Sequence, residues 1–279
     1  MAKKKINKII YHLLVLGFGF AMVYPVLWMV SGSLKTNVEI ATGSLSLIPQ
    51  YWRWDNFVTG WRGFAGIGFD VFFRNSFFVA TLSTIGTVLS SSLVAYSFSR
   101  LRYKGRKLYF GIMLSTMMIP HQVIMIPQFL IFHRLGLVGT FVPLILPSFF
   151  GHPFFVFLMM QFMVSIPKEL DEAAIIDGCN KYSIFARIIF PLLAPALITS
   201  AIIQFYWAWD DFLGPLIYLT NPRQYTVSLA LRMFADTASI TDFGAMFAMS
   251  TLSLLPVFIV FLIFNKRLVE GINTSGIKG

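Results

Sequence analysis

Three carboxylates, Glu169, Asp171 and Glu172, stand directly before Ala173-Ala174, and Asp177-Gly178 follows. Acids are favoured in the first turn of a helix, alanine is the strongest helix former, and glycine takes the left-handed conformation that ends one. Pro167 can start such a helix, because its missing N–H falls in the first turn. The pattern has the chemistry of docking. Carboxylates offer polar contacts, the alanine pair offers a shallow face for a partner's groove, and the glycine offers a turn. A second short helix over Tyr182–Ile189, running into Pro191, completes an elbow.

The elements around this elbow belong to a bilayer. Of 279 residues, 57% are hydrophobic and 12% charged, against about 25% charged in a soluble domain. Six stretches free of Asp, Glu, Lys and Arg are long enough to cross hydrocarbon. They place spans at about 10–33, 75–99, 108–132, 141–164, 188–209 and 243–265, with the elbow in a 166–187 loop. The runs are continuously apolar rather than alternating, which predicts helices. The fold class is therefore an all-α polytopic membrane protein of one domain, in contact with lipid over much of its surface. The first run follows Lys3-Lys4-Lys5 but is too long for a cleaved leader, so it reads as a retained span.

Fifteen of the twenty-two Lys and Arg fall in the two termini, the 100–107 turn and the 167–187 loop. The positive-inside rule puts these segments and both termini in the cytoplasm. The net charge of +10 is then orientation chemistry rather than a nucleic-acid footprint. Thirteen prolines, among them Pro25, Pro120, Pro127, Pro191, Pro195 and Pro256, read either as packing kinks or as hinges.

Cys179 is alone and can form no internal disulfide. His12, His121, His133 and His152 are scattered and read as packed residues, so no metal site is expected. No G-x-x-x-x-G-K-[ST] occurs, so ATP is not expected to bind this chain. The spans lack the ionisable residue that an ion-coupled secondary transporter keeps as its coupling site. That class remains the alternative, and a polytopic enzyme would need a carboxylate pair or metal cluster that the sequence lacks.

Glu172-Ala173-Ala174-x-x-Asp177-Gly178 with Ile188-x-x-Pro191 resembles the EAA loop of binding-protein-dependent ABC importer permeases, on the maltose-type, oligosaccharide-importing branch. Further pieces of the same resemblance are Tyr24-Pro25, Arg74-Asn75-Ser76, Ala95-Tyr96-x-x-Ser99-Arg100-Leu101, Trp209-Asp210-Asp211-Phe212 and Glu270-Gly271-Ile272. Where the family often has Trp-Asn, this chain has Trp209-Asp210.

The resemblance implies a six-helix type I permease in a bacterial or archaeal cytoplasmic membrane, importing carbohydrate by alternating access. Glycerol-phosphate or uronate-containing oligosaccharides are alternative cargoes. It implies a heterodimer with a second permease, an ATPase dimer that holds ATP and Mg, and an extracytoplasmic solute-binding protein. The elbow becomes the coupling helix, with Glu169, Asp171, Glu172, Ala173, Ala174, Asp177 and Gly178 facing or shaping the ATPase contact. The tail Gly271–Gly279 is similar to tails that reach the ATPase, and 219–242 is similar in position to a loop that probes the binding protein. A sugar path needs amides, hydroxyls and aromatics rather than charges. Gln122, Gln128, Gln204, Tyr206, Trp207, Trp209 and Asp210 are the candidates.

Overall fold

A computed structural model describes residues 2–43, 45–64, 66–236 and 242–273. The chain runs α1 (Ala2–Gly32), α2 (Asn37–Ala41), α3 (Asp55–Trp61), α4 (Phe69–Arg100), α5 (Arg106–Thr116), α6 (His121–Arg134), α7 (Val142–Ile145) and α8 (Pro153–Val164). It continues through α9 (Glu169–Ile176), α10 (Lys181–Ile184), α11 (Phe190–Leu192), α12 (Ala194–Asp210), α13 (Leu213–Tyr218), α14 (Val227–Asp236) and α15 (Phe243–Asn273). A 3₁₀ turn occupies Leu146–Phe150, and a π-helical turn occupies Phe185–Ile189. The family-like tail beyond 273, and part of the 219–242 segment, lie outside the described residues.

Ile10–Gly32, Phe69–Arg100, Val142–Val164 and Phe243–Phe264 are each long and apolar enough to cross a membrane. Two of the six expected spans are not straight. α5 and α6 meet at 99°, and the α10–α11 segment meets α12 at 75°. The first bend falls at Met117–Pro120. A residue before proline is pushed out of the helical region, so α6 starts afresh after Pro120. At the second bend Pro195 sits in the first turn of α12, where its missing donor costs nothing. The π turn just before Pro191 is a local adjustment of the kind that re-satisfies backbone groups around proline in a membrane helix.

The contacts gather in two compact units, residues 1–70 with 230–255, and 71–229 with 256–279. In the first unit, Asn56 donates side-chain hydrogen bonds of 2.9 Å to both Ser33 O and Lys35 O. These carbonyls follow the end of α1, where no intrahelical donor is left. Lys35 is fully buried, with its Nζ on Ser46 O and 4.0 Å from Glu39. This buried pair stands just past the first charge-free run. A Cβ at Gly244 would lie 2.5 Å from the Asn56 amide, so glycine is what lets α15 approach. Trp28 meets Phe247 edge-on at 5.2 Å.

The second unit is organised around α4. Its core joins Ala95, Tyr96 and Phe98 to Met159 and Met163 of α8, Ala174 of α9, Ile184, Ile189 and Leu197. Hydroxyls on α4 also satisfy backbone that cannot reach water, an obligation inside a bilayer. Ser90 Oγ accepts from Gly151 N–H and Ser91 Oγ from His152 N–H, each at 3.0 Å. Both bonds hold open the break that precedes α8, where Gly151 adopts φ +82°.

Candidate functional site

The elbow is built as its residues dictate. α9 begins at Glu169, two residues later than Pro167 would start it, with the acids in its first turn. It ends in a Schellman cap. Gly178 takes φ +79°, its N–H donates to Ile175 O at 3.0 Å, and Cys179 N–H donates to Ala174 O at 2.9 Å. Asn180 then caps α10 through Ser183 N–H at 2.9 Å.

The helix has two faces. Glu169, Glu172, Ala173 and Ile176, spaced i, i+3, i+4, i+7, are all exposed. Ile175, Ile176 and Tyr182 are 61%, 86% and 82% exposed, an apolar edge beside the acids. Asp177 and Gly178 are exposed as well. Two of the seven predicted coupling residues turn inward. Ala174 is buried in the core, so the expected two-alanine outer face is Ala173 alone. The Asp171 carboxylate lies 3.0 Å from Arg100 Nη1 at the end of α4. Burial holds Asp171 above the usual carboxylate range, against the opposing pull of Arg100.

A second site lies in the same unit. A cavity of about 520 Å³ is lined from α4, α6, the α8 approach, the end of α12 and α13. It gathers Gln122, Gln128, Gln204, Tyr206, Trp207 and Asp210, six of the seven residues chosen from sequence. The seventh, Trp209, is 6% exposed and packs on Phe77 at 4.9 Å and Phe205 at 5.7 Å. It is core, because two residues along a helix turn the side chain by about 200°.

Sequence reasoning set His121 and His152 aside as packing residues, yet both line the cavity. His152 does both jobs, since its ring also lies 5.7 Å from Trp207. Ser83 and Thr87 were also missed, because α4 carries many hydroxyls, from Ser76 to Ser99, and only the fold shows which of them face the cavity. Asp211 joins them and accepts Gly214 N–H at 3.1 Å. The lining offers amides, hydroxyls, imidazoles, two carboxylates and aromatic faces. That donor set suits a polyhydroxylated, partly apolar ligand. Among the described residues no cluster of His, Cys, Asp and Glu fits a metal ion.

Residues 86–274 match the family of binding-protein-dependent transport system inner membrane components. The chain belongs to that family. It is thus a transport permease of the inner membrane, built on several membrane-spanning helices.

The permease is 36% identical to the probable ABC transporter permease protein YurM of Bacillus subtilis, over 93% of this chain and 85% of that one. It is 32% identical to the arabinooligosaccharides transport system permease protein AraQ of Halalkalibacterium halodurans, over 99% and 100%. It is 34% identical to the trehalose/maltose transport system permease protein MalG of Thermococcus litoralis, over 76% of each. Its fold matches a chain of a bacterial ABC transporter involved in import of the acidic polysaccharide alginate. There the TM-score is 0.85 at 21% identity, covering 96% of this chain and 98% of that one. The all-α permease fold expected from sequence is therefore present.

Proposed function

We propose that this permease imports carbohydrate, receiving an oligosaccharide from a solute-binding protein and passing it inward by alternating access. The observation that carries the reading is the 520 Å³ cavity, with three glutamine amides beside Tyr206 and Trp207. Aromatic faces suit the apolar faces of sugar rings, and amides suit their hydroxyls. Relatives whose names specify arabinooligosaccharide, trehalose or maltose transport support it.

The described lining includes Asp210 and Asp211 and no Lys or Arg. An anion would find no cation there and would meet the Asp210 carboxylate. This favours uncharged sugars over the uronate and glycerol-phosphate cargoes.

In this reading energy enters at α9. Its exposed stripe of Glu169, Glu172, Ala173 and Ile176 docks in a cleft of a partner ATPase, which carries ATP and Mg. A second permease completes the pathway. Both termini and the elbow face the cytoplasm, as the lysine and arginine distribution requires.

The test is reconstitution with the partner permease, ATPase and binding protein. Sugar should accumulate only with ATP, and hydrolysis should rise when loaded binding protein is added. Uptake without an ATPase, or hydrolysis indifferent to sugar, would overturn the proposal.

A further inference from the structure

The last turn of α4 touches every segment of the elbow. Arg100 Nη2 donates to Ile166 O at 2.6 Å and Met163 O at 3.1 Å, the carbonyls where α8 runs out. Its Nη1 reaches Asp171 of α9 at 3.0 Å. One turn earlier, Tyr96 donates its hydroxyl to Lys181 O, the first residue of α10, at 3.2 Å. Only 5% of the Arg100 side chain and 17% of the Asp171 side chain are exposed.

We propose that Arg100 is a positioning residue that straps α9 to the end of α4, so that the two helices move as one body when the partner ATPase acts on α9. The inference rests on α9 being the coupling element.

Three arguments support it. First, α9 is continuous with α8 through 165–168 and with α10 through 177–180, but with α4 through neither. Among the described residues, the polar link from α9 to α4 is Arg100–Asp171. Without it, α9 meets α4 through the shared apolar core that includes Ala174 and, indirectly, through Tyr96 on α10 and Arg100 on the end of α8.

Second, a buried ion pair adds little net stability over an apolar pair of the same shape, and its best-attested use is to fix register. Two charges kept at the edge of an otherwise apolar core fit that use. Third, the job needs arginine. A guanidinium presents its donors in a fixed fork and reaches three oxygens on two segments, whereas an ammonium is a compact point on a flexible stem. The two carbonyl bonds hold Arg100 in place independently of Asp171. Removing the carboxylate leaves the buried guanidinium without its counter-charge, so Asp171→Asn, which keeps the shape and a polar acceptor, is the mildest way to break the pair.

The experiment compares sugar moved per ATP hydrolysed in the reconstituted complex. Asp171→Asn should lower the ratio about tenfold, within the range typical of coupling between sites. Asp171→Glu should restore most of it. Arg100→Lys should lose part of it, and Arg100→Met, which also gives up the Met163 and Ile166 carbonyl bonds, should lose at least as much as Asp171→Asn. Glu172→Lys, on the outward face, tests the coupling reading by itself.

Wild-type ratios in Asp171→Asn and Arg100→Met, with Glu172→Lys impaired, would overturn the strap and leave the coupling role standing. Wild-type behaviour in Glu172→Lys as well would overturn both. A second measurement needs no disrupted variant. Spin labels at Ser99 of α4 and Leu170 of α9, in a Cys179→Ser background, should keep a constant separation through the nucleotide cycle. A separation that changes on nucleotide binding would refute the strap.

Discussion

Gly178 offers the sharpest test of how the elbow is made. Its φ of +79° lies in the left-handed region, and a Cβ built there meets nothing within 4 Å. Neighbours therefore add no steric cost, and substitutions sort by backbone preference and by whether the residue keeps its N–H. Asparagine tolerates this region and should cost least. Alanine pays about 1–2 kcal/mol for left-handed geometry. Proline is fixed near φ −65° and also deletes the N–H that bonds Ile175 O, for about 3 kcal/mol or more. α9 has eight residues, well below the length at which a helix holds itself in water, so the cap carries much of its order. The alanine penalty should lower protection of the amides at 173–179 by about 5- to 30-fold in hydrogen exchange. Sugar moved per ATP should fall in the same order, Asn, Ala, Pro, with membrane insertion intact. Equal effects from Ala and Pro, or wild-type transport by both, would refute the claim that a left-handed cap positions this helix.

Three further outcomes follow from particular contacts. Trp209→Ala should destabilise by about 3–5 kcal/mol, read as a lower melting temperature in detergent. Trp207→Ala, on the cavity wall, should instead raise half-saturating sugar about tenfold in the surviving complex. A Cβ at Gly86 would lie 2.6 Å from the Phe149 ring. Gly86→Ala should therefore cost about 1–3 kcal/mol, largely recovered in thermal melts when Phe149→Leu is added. Asp171 has its folded pKa raised by burial, so the folded state binds its proton more tightly than the unfolded chain does. Its contribution to stability is fully present below about pH 3.9, the unfolded value, and declines as pH rises through the elevated folded one. Measured against Asp171→Asn, wild type should gain relative stability on acidification, and a gain on alkalinisation would contradict the burial argument.

The fold was legible because a bilayer imposes a crude rule, and six charge-free runs satisfy it. The rule is blind to backbone angles, so the 99° and 75° bends did not show in apolarity, although Pro120 and Pro195 sit beside them. It also clipped α4, whose first turns carry Asp70 and Arg74. At the sites, residue type was the easier half and direction the harder. Trp207 and Trp209 look alike in sequence, yet a helix turns them to opposite sides. The same arithmetic separates Asp171 and Ala174, three apart on the inner face, from Glu172 and Ile176, four apart on the outer one. Helical period alone would have split α9 into a face for the partner and a face for α4. It would not have found Arg100, which is 71 positions before Asp171 in the chain and meets it only through the tertiary fold.

α4 joins the two sites. Ser83 and Thr87 line the cavity, Ser90 and Ser91 hold the break at Gly151 and His152, and Tyr96 and Arg100 grip the elbow. From Ser83 to Arg100 the helix rises about 25 Å at 1.5 Å per residue. A tilt of the rod by about 5° at the elbow end would shift the cavity end by about 2 Å, enough to change which hydroxyls a bound sugar meets. The rod must be stiff for this to work. Leu93 is 50% exposed at its middle, so its side chain can be shortened with little disturbance to the core. Leu93→Ala should leave sugar moved per ATP near wild type. Leu93→Gly, which weakens a helix interior by about 1 kcal/mol relative to alanine, should lower that ratio while sugar affinity holds. If alanine and glycine at 93 behave alike, energy does not reach the cavity along α4, and it must travel through α8 or α12, to which the elbow is covalently joined.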